Sequence, residues 1–191
     1  FKQKTAYEIY QCDWSSDVCS SDLDSTGAPA LIKGNPNELI YPRSAIKSIQ
    51  ASAMVRKGLV QEVRSLALIC ASHSGSGAHQ EVALEILRSA GLDESALQCA
   101  LDRPLGAQER KEWGDKAPTR LAMNCSGKHA GMLATCVANN WPIENYLEPT
   151  HPLQIAIREE LETLAGEKVS HITVDGCGAP LFLISIHGLA K

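Results

Sequence analysis

Leu66–His79 reads LALICASHSGSGAH, and its apolar head decides whether strands alternate with helices here. Leu66–Ala71 is a short apolar run, best read as a buried strand. Ser72–Ala78 follows as a loop. A helix is then expected from His79 to Ala90, with Gly91 where a helix-ending glycine belongs. Towards the N-terminus, Ala30–Ile32 and Leu39–Tyr41 read as short strands about the turn Gly34–Asn37. Pro42 precedes an expected helix over Ser44–Val63. Towards the C-terminus, Arg103–Pro118 is polar and rich in charge, the signature of a surface excursion. Gly127–Asn140 and Pro152–Ala165 read as helices, the second with Pro in its first turn and Gly166 just past its end. His171–Val174 is an expected strand that runs into Asp175-Gly176-Cys177-Gly178. Pro180–Lys191 is apolar and stops inside an element.

The chain has 191 residues, 44% of them hydrophobic, with 18 basic and 22 acidic side chains and a net charge of −4. That is enough for one domain with a real core. The mixed charge excludes a disordered acidic tail and a basic nucleic-acid grip. The longest apolar runs, Leu66–Ala71 and Leu181–Ile186, are far short of a membrane span. Phe1–Leu23, FKQKTAYEIYQCDWSSDVCSSDL, has no helical or strand period. It resembles the in-frame translation of a sequencing adapter interrupted by an index barcode, and such a scar is set aside from fold reasoning. The expected domain is therefore 24–191, a partial domain cut at both ends. Its cysteines are Cys70, Cys99, Cys125, Cys136 and Cys177. An odd number without regular spacing argues against a disulfide framework and for a reducing cytoplasm.

Three constellations carry chemistry. Ser44-Ala45-Ile46-Lys47 sets a lysine three residues after a serine, on the same side of a helix. Serine needs an adjacent base, and lysine serves only if burial or a neighbouring cation lowers its pKa. The plainer reading is two helix-surface residues. Ser72-His73-Ser74-Gly75-Ser76-Gly77-Ala78-His79 offers hydroxyls and backbone N–H groups before a helix, the elements of an oxyanion hole or a carboxylate site. Its plainer reading is a Ser/Gly connector. Asn124-Cys125-Ser126-Gly127-Lys128 and Asp175-Gly176-Cys177-Gly178 each place a cysteine in a glycine-rich turn. Two thiolates suit zinc, whereas Cys70 and Cys136 fit small core residues. His79-Gln80-Glu81 matches one half of a zinc-deaminase signature, but Pro-Cys-x-x-Cys is missing, so that reading fails.

Taken together, YPRSAIKSIQ (41–50), CASHSGSGAHQEVA (70–83), NCSGKHAGML (124–133) and DGCGAPLF (175–182) resemble the rhizobial-type L-asparaginases, the asparaginase II family. The motifs follow the family's order and span most of 24–191. The resemblance implies an α+β fold similar to serine β-lactamases and penicillin-binding proteins, an antiparallel sheet surrounded by helices. It implies Ser44 as nucleophile with Lys47 as its base. Ser72, with Ser74 the lesser choice, would be the second serine, its lysine lying beyond Lys191. It also implies a zinc site made of Cys125, Lys128 and Cys177, and a homodimer of the full-length protein. Ser76 stands where many relatives carry a glutamate, which alters the charge of the loop.

The expected reaction is hydrolysis of L-asparagine to L-aspartate and ammonia through a Ser–Lys acyl-enzyme. His73, Ser74 and Gly75 are the candidates for holding the substrate's α-groups. Two other readings remain open. A β-lactamase-type serine acyl hydrolase also begins with Ser-x-x-Lys but does not need the cysteine motifs. A non-catalytic zinc- or small-ligand-binding relative would keep the cysteines without turnover. With both ends missing, sheet edges would be exposed, and the polypeptide on its own is expected to be inactive or insoluble.

Overall fold

The computed structural model describes residues 20–191. Of Phe1–Leu23, only the last four fall inside this range, as strand β1 (Ser20–Leu23), which pairs antiparallel with β2 (Pro29–Lys33). A second sheet has β3 (Leu39–Ile40) and β4 (His171–Val174) on either side of β5 (Pro180–Ser185), all antiparallel. Both strands expected near the N-terminus therefore exist. They do not form one hairpin, because β2 pairs with β1 and β3 pairs with β5. The apolar β5 is buried along nearly its whole length, as befits a strand paired on both edges.

The helices are α1 (Lys47–Arg56), α2 (Val63–Cys70), α3 (Gly77–Ser89), α4 (Ala107–Trp113), α5 (Ser126–Ala138), α6 (Pro152–Ala165) and α7 (Ile186–Ala190). The single helix expected over Ser44–Val63 is broken. It opens as a 3₁₀ turn, Arg43–Ile46, and α1 ends at Arg56 ahead of Gly58 at φ +89°. The expected strand Leu66–Ala71 is a helix. In α2 the buried residues are Ser65, Leu68 and Ile69, three and four apart on one helical face. Leu and Ala favour that state, and β3 and β4 already occupy both edges of β5. Arg103–Pro118 is the expected excursion, closed at its base by the Asp102–Thr119 bridge and carrying the exposed α4. The expected bounds of α6 are met exactly, with Pro152 in its first turn and Gly166 left-handed at its end.

At the centre lies α5, buried from Ser126 to Cys136 and packed by α1, α2 and α3. Two glycines allow α2 to approach it. A Cβ on Gly127 would lie 2.7 Å from Leu68 Cγ, and one on Gly131 2.8 Å from Ile69 Cδ1. Ile69 and Leu133 are wholly buried, and each gains about 1.5–3 kcal/mol by leaving water. The result is a mixed α+β architecture. No described helix is long and apolar enough to cross a membrane.

Candidate active site

The 3₁₀ turn places Ser44 three residues before Lys47, the first residue of α1, and in that geometry residues three apart eclipse. Arg43, just before the serine, holds the left-handed φ of +50°, a conformation that costs a non-glycine residue energy. The loop after α2 brings the second serine to the first: Ser72 Oγ donates to Ser44 Oγ across 3.1 Å. Both serines are exposed, whereas Lys47 is buried. The hydrogen bond from Lys47 goes to the Ala71 carbonyl at 2.6 Å rather than to Ser44. Burial pulls its pKa below the ordinary lysine value and Lys128 adds to this, against the opposing pull of Cys125 and Cys177. Ser44 and Ser72 thus meet, and Lys47 is fastened to the residue before Ser72.

Beside Lys47 lies a buried cluster. Cys125 precedes α5, Lys128 is in its first turn, and Cys177 sits in the turn between β4 and β5. Lys128 Nζ donates to Cys177 Sγ at 3.3 Å. Cys125 Sγ donates to Asn124 Oδ1 at 3.3 Å, and the neighbouring Cys177, together with Lys128 and Lys47, outweighs burial and lowers the thiol to about 6. No group of three His, Cys, Asp or Glu side chains among the described residues is arranged for a metal. The donor set is two sulfurs and an amine. Soft sulfurs and a nitrogen suit zinc, and all three residues are nearly sealed from water. The residues fit the ion, on condition that the lysine gives up its proton.

The Ser72–Ser76 loop is clamped on its far side. His73 is buried, with Nε2 at 3.0 Å from Ser126 Oγ. Burial, with His79 and Lys47 adding to it, takes its pKa down to about 4. Ser74 Oγ donates to Glu109 Oε1 at 2.6 Å, and its carbonyl accepts from Gly106 N–H at 2.9 Å. Gly75 has φ +84°, and a Cβ there would meet the Ala122 carbonyl at 2.8 Å and Pro104 Cα at 2.9 Å. Of the three residues expected to hold substrate, His73 and Ser74 have their side chains engaged within the protein and Gly75 is covered. Ser76 caps α3, accepting from His79 N–H.

The sequence model of the L-asparaginase II family matches residues 18–191. The chain belongs to the L-asparaginase II family. No curated protein matches it. The family match begins inside Phe1–Leu23 and runs through all four motifs.

Within this L-asparaginase II chain, several residues around the site carried no assignment from the sequence. Arg43 pairs with Asp175 at 2.9 Å, tying the Ser44 turn to the Cys177 turn. Both stand inside the quoted motifs, and their opposite charges were the available signal. Ser126, the partner of His73, was equally visible in NCSGKHAGML. Glu109 had no signal, because it reaches Ser74 only through the fold of the excursion.

Proposed function

We propose that this chain carries the acylation half of an enzyme that hydrolyses L-asparagine to L-aspartate and ammonia. The observation that carries the reading is the hydrogen bond between Ser44 Oγ and Ser72 Oγ, with the buried Lys47 amine on the carbonyl of Ala71, the residue before Ser72, in a chain of the L-asparaginase II family. A neutral lysine has two N–H groups and one lone pair. One N–H remains on the Ala71 carbonyl, and the lone pair takes the Ser44 proton. Ser44 Oγ then bonds to the side-chain amide carbon, and the oxyanion is held by backbone N–H groups. The proton passes from Lys47 to the departing nitrogen, the C–N bond breaks, and ammonia leaves a β-aspartyl ester on Ser44. Water adds to that ester, the C–O bond to Ser44 breaks, and aspartate is released. Ser72, hydrogen-bonded to the nucleophile, hands its own proton to Ser44 as the ester breaks and takes up the proton that the attacking water gives up.

Cys125, Cys177 and Lys128 would hold zinc, which when bound would fix the loops that carry them. The reading includes a fold similar to serine β-lactamases, a second lysine outside 24–191, a homodimer and a cytoplasmic location. The test is ammonia release from L-asparagine by the complete gene product, with Ser44→Ala alongside. Activity lost in the variant supports the reading. A folded, zinc-loaded protein that releases no ammonia overturns it.

A further inference from the structure

Ser74 is two residues beyond Ser72, and its hydroxyl stands between two groups. Its Oγ lies 2.6 Å from Glu109 Oε1, on the excursion helix α4, and 3.3 Å from Nδ1 of His79, in the first turn of α3. An ionised carboxylate can only accept a hydrogen bond, and 2.6 Å is the length of a charge-assisted O–H···O bond. The bond from Ser74 chiefly holds Glu109 below the ordinary carboxylate range. The single Ser74 proton is therefore turned to Glu109. Towards His79 the serine offers only a lone pair.

Nδ1 also lies 3.0 Å from Ser76 Oγ, an oxygen that already accepts the His79 backbone N–H. A bare Nδ1 would set its lone pair against that of Ser74. A protonated Nδ1 lies between two hydroxyl oxygens that can both accept. The proton thus belongs on Nδ1 whether the ring is neutral or charged, and a line of donors runs from His79 through Ser74 to Glu109. The backbone of Ser74 is held as well: its carbonyl accepts the Gly106 N–H at 2.9 Å, and Gly75 beside it packs against Pro104. The excursion therefore grips the loop two residues after Ser72.

We propose that Glu109 is a positioning residue: by taking the Ser74 proton it makes that serine an acceptor for His79 Nδ1–H, and the two bonds together set the loop that presents Ser72 to Ser44. The consequence for turnover rests on the reading of Ser44 and Ser72 as the reacting pair. Glu109 bonds to neither of them and acts through Ser74. The acceptor oxygen is what matters, not the negative charge. Glu109→Gln, whose amide oxygen takes the same proton, should therefore substitute for the glutamate, and Glu109→Ala should not. In the alanine variant the Ser74 proton is free to turn to Nδ1, and the histidine proton moves to Nε2.

The test uses the complete gene product. Long-range ¹H–¹⁵N spectra at alkaline pH, with the His79 signals assigned by their loss in His79→Gln, read the tautomer directly. Nδ1 should carry the proton in the wild type and in Glu109→Gln, and Nε2 should gain it in Glu109→Ala. Hydrogen exchange at the Gly106 amide should quicken in the alanine variant alone. In that variant kcat for asparagine should fall by about tenfold, with kcat/KM changed less, because Ser72 serves the breakdown of the ester after ammonia has left. Circular dichroism confirms that each variant is folded. A proton on Nε2 in the wild type, a tautomer unchanged in Glu109→Ala, or a glutamine variant that behaves as the alanine one overturns the proposal. If the wild type releases no ammonia, the asparaginase reading falls, while the tautomer and the Gly106 exchange still decide the role of Glu109.

Discussion

Arg43 and Asp175 are joined by an ion pair of 2.9 Å, which fastens the strained turn before Ser44 to the turn that presents Cys177. Asp175 is the better covered of the two, so the pair is less screened than an open surface contact. Its work is alignment of two chain segments far apart in sequence. Arg43→Ala and Asp175→Asn should each lower kcat for asparagine by about tenfold or more, because a small displacement of a reacting group is costly. Thermal stability should fall by only about 0.5–1 kcal/mol. Steady-state kinetics and a melting curve on the same samples check both. Loss of stability in proportion to activity would reduce the pair to a structural brace.

Lys47 owes its lowered pKa first to burial. The neutral amine is the base, so activity should rise with pH through an inflection below the ordinary lysine value. Lys47→Arg keeps a cation of similar reach that cannot give up its proton. It should lower kcat by about 10²–10⁴-fold and abolish the rising limb. A pH–rate profile of the variant that keeps the limb assigns the base elsewhere.

His73 stays neutral in the folded protein until about pH 4, against an ordinary histidine value of 6.5. Below pH 6.5 the unfolded chain takes up a proton that the folded chain refuses, so stability is full above that pH and falls as pH drops towards 4. The loss should reach on the order of 3 kcal/mol. Urea unfolding at pH 7 and pH 4.5 measures it. His73→Gln, which offers Ser126 an amide without a titrating proton, should flatten the difference.

Gly127→Ala and Gly131→Ala would drive a methyl group against Leu68 and Ile69, at 2.7 and 2.8 Å. Each should cost about 1–3 kcal/mol by overpacking, read as a lower urea midpoint. Gly58→Ala, with open space around its Cβ position but φ +89°, should cost about 1 kcal/mol through backbone strain alone.

Helix α6 and strand β4 were legible to the residue, because their signals are local: Pro152 and Gly166 punctuate the one, and alternation before Asp175-Gly176 ends the other. That Ser44 and Lys47 lie one turn apart at the start of a helix was legible, because the Ser-x-x-Lys spacing is local. What the fold alone decided is non-local. Leu66–Cys70 is helical because β5 had no free edge and α5 offered two glycines to pack upon. Lys47 turned to the Ala71 carbonyl, Ser72 met Ser44, and Lys128 met Cys177 only after α2, α5 and the β4–β5 turn had come together. A local pattern sets which residues can donate, accept or ionise. Burial and the partner across the fold decide which of them do, since both depend on segments the local pattern does not contain.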